Sequence, residues 1–209
     1  MRILSQDVLI VVDVQNDFCA GGALAVAEGD AVIEPIHRIA PKFQHMILTQ
    51  DWHPAGHSSF ASAHPGKQPF EQIQRSYGMQ TLWPDHCVQG SKGAEFHPSL
   101  HLPRAEVILR KGFHPQVDSY SAFFENDRVT PSGLAGYLRE RSLTRAFFAG
   151  LAYDFCVGFS ALDARRLGME AVVVRDACRG INLDGSVAKI EARFAQAGVT
   201  VIDSSSFSR

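Results

Sequence analysis

Residues 8–14 read VLIVVDV, an almost unbroken apolar run of the kind a strand shows when both of its faces are covered. Such a strand needs packing partners above and below, so it commits the chain to a layered fold. Short β-rich runs recur at 46–49, 107–109, 146–149, 171–174 and 199–202. Between them lie segments with helical spacing: 30–40 before the second run, 131–141 before the fourth, 155–167 ending at Gly168, and 186–197 ending at Gly198. Both glycines stand just past the last helical residue, where a left-handed conformation closes a helix. Strand and helix in alternation predict an α/β fold of three layers, a mostly parallel central sheet flanked by helices. The whole chain, 1–209, reads as a single domain.

One stretch breaks the alternation. Residues 52–104 show little helical or strand periodicity, yet hold six of the ten prolines and six of the nine histidines. A loop this long inside a compact domain is functional or disordered. Phe60, Phe70, Tyr77, Trp83 and Phe96 argue against disorder, so the segment is expected to be an ordered active-site insertion.

The charge balance excludes several partners. With 20 Lys and Arg against 22 Asp and Glu, the net charge is −2, which is no footprint for a polyanionic nucleic acid. No apolar run approaches the roughly 20 residues needed to cross a bilayer, and no secretory signal is evident near the N-terminus. Cys19, Cys87, Cys156 and Cys178 are scattered, without a CxxC pair. That usage points to a reducing, cytoplasmic location. A small, weakly charged substrate fits best; association as monomer or homo-oligomer is left open.

In an open parallel sheet, ligands bind beyond the carboxyl ends of the strands. Asp13 ends the first predicted strand, Asp51 lies just past the second, Lys111 follows the third, and Cys156 follows the fourth. Each alone has a plain explanation: a cap, a solvated end or a small buried thiol. Together they converge on one sheet edge and predict a site. Cys156 opens a predicted helix, so the helix N-terminus and the Lys111 ammonium are expected to favour its thiolate. Asp13 can accept and return a proton, and backbone amides after Gly150 can meet an oxyanion.

Asp51 and His53 offer two metal ligands next to a strand end, and His86 or His57 could add a third. A carboxylate with imidazoles suits one divalent transition metal ion, Zn, Fe or Mn, rather than Ca or Mg. His97 and His101 are separated by Pro98, which makes a helical ligand pair a poor reading. His37, His45, His64 and His114 read as surface or packing residues, and Cys19, Cys87 and Cys178 as core thiols.

Five linked motifs then carry a resemblance. Asp13-Val-Gln-Asn-Asp17-Phe18, Gln50-Asp51-Trp52-His53-Pro54, Trp83-Pro84-Asp85-His86-Cys87-Val88, Lys111-Gly112 and Gly150-Leu-Ala-Tyr-Asp-Phe-Cys156-Val157 occur in an order that resembles the nicotinamidases. These belong to the isochorismatase-like cysteine hydrolase superfamily. The resemblance implies hydrolysis of nicotinamide to nicotinic acid and ammonia in NAD salvage, with pyrazinamide as a further substrate. It implies a triad of Asp13, Lys111 and Cys156, and metal ligation by Asp51, His53 and His86. It implies a cis peptide between Leu151 and Ala152, an oxyanion hole from the amides of Ala152 and Cys156, and Phe18, Trp83 and Tyr153 flanking the pyridine ring. His57 matches a ligand of some relatives whose spacing after the Asp differs. The rival readings are a superfamily amidase for a carbamoyl or ureido substrate, a hydrolase using metal-bound water, and a non-enzymatic binding protein on the same fold.

Overall fold

The computed structural model describes residues 1–207. Six parallel strands form the central sheet: β1 (Asp7–Val12), β2 (His45–Asp51), β5 (Val107–Lys111), β6 (Arg145–Leu151), β7 (Glu170–Arg179) and β8 (Thr200–Ile202). Their spatial order is β5-β2-β1-β6-β7-β8. The chain builds outward from β1 in one direction and then from β6 in the other. The switch point therefore lies between β1 and β6, where a crevice opens beyond the strand ends.

Every residue of β1 is buried, and alternate residues serve opposite layers, as the period of a strand requires. Leu9 and Val11 pack with Ile33, Ile36 and Ile39 of helix α1 (Ile33–Ile39). Val8, Ile10 and Val12 face the other side, with Leu134 and Leu138 of α2 (Leu134–Glu140), Ala161 and Ala164 of α3 (Gly158–Arg166), and Ile190 and Phe194 of α4 (Ser186–Ala197). Two apolar layers thus sandwich one sheet, as the run at 8–14 predicts.

The boundaries moved where tertiary contacts decide them. The run predicted at 171–174 extends through the polar Arg175 and Asp176 to Arg179, with a register shift against β6 between Phe148 and Gly150. Gly150 has φ +113°, and a Cβ there would stand 2.1 Å from the Val12 carbonyl oxygen. Only glycine lets β6 approach β1 this closely. The insertion contains an antiparallel hairpin that the sequence reading missed, β3 (Gln72–Arg75) with β4 (Gly78–Thr81). The Leu151–Ala152 peptide is cis. No helix among the described residues is long and apolar enough to cross a membrane.

Candidate active site

The strand ends deliver the reactive groups. Asp13 follows β1 at φ +48°, a left-handed turn away from the sheet. Asp51 and Lys111 end β2 and β5 and are register partners across that ladder. Cys156 lies in a π-helical turn, Tyr153–Val157, between β6 and α3; such turns concentrate at functional sites.

Lys111 Nζ is the hub. It donates to Asp51 Oδ1 at 3.0 Å, to the Ser119 carbonyl at 2.9 Å and to Cys156 Sγ at 3.4 Å. Asp13 Oδ2 lies 2.8 Å from the same ammonium, and Thr49 Oγ1 donates to Asp13 Oδ1 at 2.6 Å. All of these groups are buried.

Burial alone would drive the proton off Lys111, but Asp13, Asp51 and Cys156 around it hold it well above the ordinary lysine value. Burial raises the Asp13 carboxyl, an effect that Lys111 offsets only in part. Burial also pushes the Cys156 thiol well above its usual value; Asp13 and Asp51 add to that, and Lys111 opposes it without winning. The helix start and the Lys111 ammonium, which favour the thiolate, are thus outweighed, and the balance is toward the neutral thiol. The reason is a dry site with two carboxylates around one ammonium. The thiol and the Asp13 carboxylate share the Lys111 ammonium, at 3.4 Å and 2.8 Å, so an acceptor for the thiol proton stands beside it.

The metal-ligand candidates meet on the other side of Asp51. His53 Nδ1 lies 2.8 Å from the Gly112 carbonyl and His86 Nδ1 lies 2.8 Å from the Pro84 carbonyl. A carbonyl can only accept, so each Nδ1 carries a hydrogen and each Nε2 is turned inward, as in metal sites whose imidazoles are oriented by an outer partner. These Nε2 atoms stand 3.1 Å and 3.4 Å from Asp51 Oδ2. The three ligand atoms lie within 4.8 Å of one another. Burial raises the Asp51 carboxyl, yet His53, Lys111 and the imidazole hydrogen bonds outweigh it and hold Asp51 well below the usual range.

The surroundings fit a divalent cation. Asp13, Asp51 and Asp118 are buried beside one ammonium, Lys111, and one imidazole, His53, whose proton the Asp51 carboxylate favours, so a cation taking the place of that proton suits the charge balance. Gly112 makes room for the ligands. At φ +71°, a Cβ there would stand 2.6 Å from His53 Cε1 and 2.9 Å from Asp51 Oδ1.

His57 is placed beside this set rather than within it. Its Nε2 donates to the His114 carbonyl at 2.8 Å, and its Nδ1 accepts from the Ser59 amide at 3.1 Å. With both nitrogens engaged, the ring buttresses His53 at a centroid distance of 4.5 Å. A second cluster, His53 with His57 and Asp118, would require His57 to surrender one of those bonds.

Phe18, Trp83, Ala152 and Cys156 line the cavity over the thiol, together with Asp51 and His86. Tyr153 does not. Its ring packs on Phe194 at 5.8 Å, its hydroxyl donates to Glu191 at 3.2 Å, and Arg175 lies over its face. The π-turn directs it into the layer opposite the pocket, which corrects its expected place beside the substrate. Phe155 and Tyr120 line the wall instead. Trp83 Nε1 donates to the Tyr120 hydroxyl at 3.1 Å, and the Trp83 and Phe155 rings meet edge-on at 4.9 Å. Asp118 is a further wall residue that sequence reasoning missed; its Oδ1 lies 3.8 Å from His53 Nε2. No spacing marks it, although its neighbours Ser119 and Tyr120 follow soon after Lys111.

Comparison with known proteins adds independent findings. Residues 7–206 match the isochorismatase domain family. The nicotinamidase of Acinetobacter baylyi is 50% identical over 204 residues, covering 98% of this chain and 95% of that one. The solved nicotinamidase/pyrazinamidase of Acinetobacter baumannii is 51% identical and superposes with a TM-score of 0.96, covering 97% of this chain and 98% of that one. The pyrazinamidase of Pyrococcus horikoshii, solved in complex with zinc, is 35% identical with a TM-score of 0.75, covering 95% of this chain and 99% of that one. The chain belongs to the isochorismatase domain family and, within it, to the nicotinamidases.

Proposed function

We propose that this protein is an amide hydrolase that converts nicotinamide to nicotinic acid and ammonia through a thioester on Cys156, and that it also accepts pyrazinamide. The observation that carries the reading is the sharing of Asp51. One of its oxygens is held by Lys111, which touches the thiol; the other faces two inward-turned imidazoles. A nucleophile and a cation site built on one carboxylate suit a flat substrate with an amide at one end and a ring nitrogen at the other. Relatives named as nicotinamidases, alike over nearly the whole chain, support it.

Asp51, His53 and His86 would hold one divalent ion. Their ligand chemistry fits zinc, iron or manganese, and the zinc complex of the Pyrococcus pyrazinamidase favours zinc. Such an ion supplies Lewis acidity and an anchor for a pyridine nitrogen. Phe18, Trp83 and Phe155 hold the ring, and the amides of Ala152 and Cys156 receive the carbonyl oxygen.

The chemistry then belongs to the triad. Asp13 takes the proton of the Cys156 thiol as sulfur bonds to the amide carbon. Asp13 gives that proton to the departing nitrogen as the C–N bond breaks, and ammonia leaves. Asp13 next takes a proton from water as its oxygen attacks the thioester. The C–S bond breaks, and the proton returns to sulfur. Lys111 stays charged throughout and holds Asp13, Asp51 and Cys156 in register.

Mass spectrometry of enzyme quenched during turnover tests this reading. A nicotinoyl adduct on Cys156 is expected, and Cys156→Ala should lose turnover while still binding nicotinamide. Near-normal turnover by that variant would refute the nucleophile.

A further inference from the structure

A second cavity of about 400 Å³ adjoins the substrate pocket, and Tyr120 lines both. Its size falls within the roughly 300–1,000 Å³ of small-molecule sites. No member of the triad or of the metal-ligand set lines it.

Its wall carries three arginines. Arg166 donates to the Arg128 carbonyl at 3.1 Å, lies 4.8 Å over the Phe124 ring and stands 4.0 Å from Asp163. Arg128 and Arg193 form no ion pair among the described residues. Burial and the nearby Arg128 charge weaken the hold of Arg193 on its proton. Arg193 lies 4.8 Å over Phe159, and Phe159 in turn packs on Tyr120 at 5.3 Å.

The cavity also carries an unanswered acceptor. Glu125 is 7% exposed, and its Oε2 has no hydrogen-bond partner. Its charged neighbours are His114, Asp127 and Asp118, not the guanidiniums. Asp163 is the acid on the guanidinium side, 4.0 Å from Arg166 and near Arg193, so it answers part of the positive charge there, whereas Glu125 answers none of it. A buried acceptor left unsatisfied is unfavourable, and a donor on a bound molecule would satisfy it.

We propose that this cavity binds a 5′-mononucleotide, its phosphate against Arg128, Arg166 and Arg193, its sugar hydroxyls donating to Glu125, and its base against Phe124 and Phe159. Guanidiniums recognise phosphate through charge-assisted, forked hydrogen bonds. Inorganic phosphate would leave Glu125 and the aromatic wall unused, and a nucleoside would leave the guanidiniums unused. The bound molecule presses on Tyr120, whose hydroxyl accepts from Trp83 Nε1 and Gln80 Nε2, both at 3.1 Å. Occupancy thereby adjusts the substrate wall and leaves Lys111, Asp13 and Cys156 untouched.

Calorimetric titration of the full chain with AMP, inorganic phosphate and adenosine as separate probes tests the proposal. AMP is expected to bind at one site per chain, with phosphate and adenosine each weaker by about tenfold, ~1.4 kcal/mol, or more. The double variant Arg128→Gln/Arg193→Gln and the single variant Glu125→Gln should each weaken AMP by a similar factor. Arg139→Ala, an exposed change on α2 outside the cavity, should not. Saturating AMP should change the KM for nicotinamide and leave kcat in place. The site is refuted if AMP fails to bind, if phosphate binds equally well, if binding survives both sets of variants, or if nicotinic acid displaces AMP competitively. An unchanged KM with AMP bound refutes the coupling through Tyr120. Binding heat requires no turnover, so this test stands apart from the nicotinamidase reading.

Discussion

Lys111→Met keeps most of the buried stem and removes only the ammonium. Nζ lies 2.8 Å from Asp13 and 3.0 Å from Asp51. At an effective dielectric constant of about 20, each contact is worth ~5–6 kcal/mol of gross attraction. Most of that is spent on desolvating the charges, and breaking a buried pair has a net cost of about 3–5 kcal/mol. A domain with the usual ~5–15 kcal/mol of stability survives such a loss, but narrowly. The loss should be larger in chelator-treated protein than in metal-loaded protein, because a bound dication compensates Asp51 when Lys111 cannot. Asp13→Asn combined with Lys111→Met should recover at least ~1 kcal/mol over Lys111→Met alone, since it removes one stranded carboxylate. Urea unfolding with and without metal measures all three quantities. If Lys111→Met unfolds within ~1 kcal/mol of the parent in both states, Lys111 is not the counter-ion of this site.

The pocket wall and the metal site give further tests. Phe155→Ala should raise the KM for nicotinamide about tenfold or more, ~1.4 kcal/mol of lost contact. Tyr153→Phe should leave KM unchanged and lower stability by no more than ~1 kcal/mol, the worth of its bond to Glu191; a KM effect from Tyr153→Phe equal to that from Phe155→Ala would reverse the assignment. His57→Gln should retain one metal per chain by elemental analysis, whereas His86→Ala should lose it; metal loss from His57→Gln would place His57 among the ligands. Burial lowers His53, but the Asp51 carboxylate outweighs it and holds the ring above its usual value of about 6.5. Ligation needs the neutral ring, so metal affinity should be full above that raised value and fall by about tenfold per pH unit below it. Competition with a metal-binding dye across that range reads the profile, and a flat one would contradict the ligand set.

What the sequence disclosed followed from periodicity and from chain-local spacing. The run at 8–14 marked a strand buried on both faces, and strand ends located Asp13, Asp51, Lys111 and Cys156. What it concealed depends on contacts across long chain separations. Arg175 and Asp176 interrupt an apolar run, yet the ladder of β7 on β6 carries them to Arg179. In the β3–β4 hairpin, QIQR paired with GMQT, the buried positions are the polar Gln80 and Thr81, so no apolar alternation betrays it. The direction of Tyr153 depends on a π-turn, which no residue spacing announces. The carbonyl that fixes the tautomer of His53 belongs to Gly112, 59 residues away. The net state of the thiol was hidden for a related reason. A helix start, a lysine and two carboxylates, Asp13 and Asp51, can be read from sequence, but full burial, and the way it lets the carboxylates outweigh the ammonium, cannot.

That second carboxylate links the two halves of the site. In the absence of a cation, Asp51 adds its negative charge to that of Asp13, and both hold the proton on Cys156. A dication on Asp51, His53 and His86 would cancel that contribution and leave the Lys111 ammonium freer to favour the thiolate. Metal occupancy should therefore make Cys156 more reactive at neutral pH, even toward a reagent that never touches the metal. Linkage demands the reciprocal effect: ionising the thiol must tighten metal binding by the same factor. Iodoacetamide alkylation of Cys156, followed against pH in chelated and metal-loaded protein, reads the coupling directly. The metal-loaded profile should rise at lower pH, and the Asp51→Asn variant should show no difference between the two conditions. Superimposable profiles for the parent protein would mean that Asp51 insulates the thiol from the metal, and the two sites would then be neighbours without being coupled.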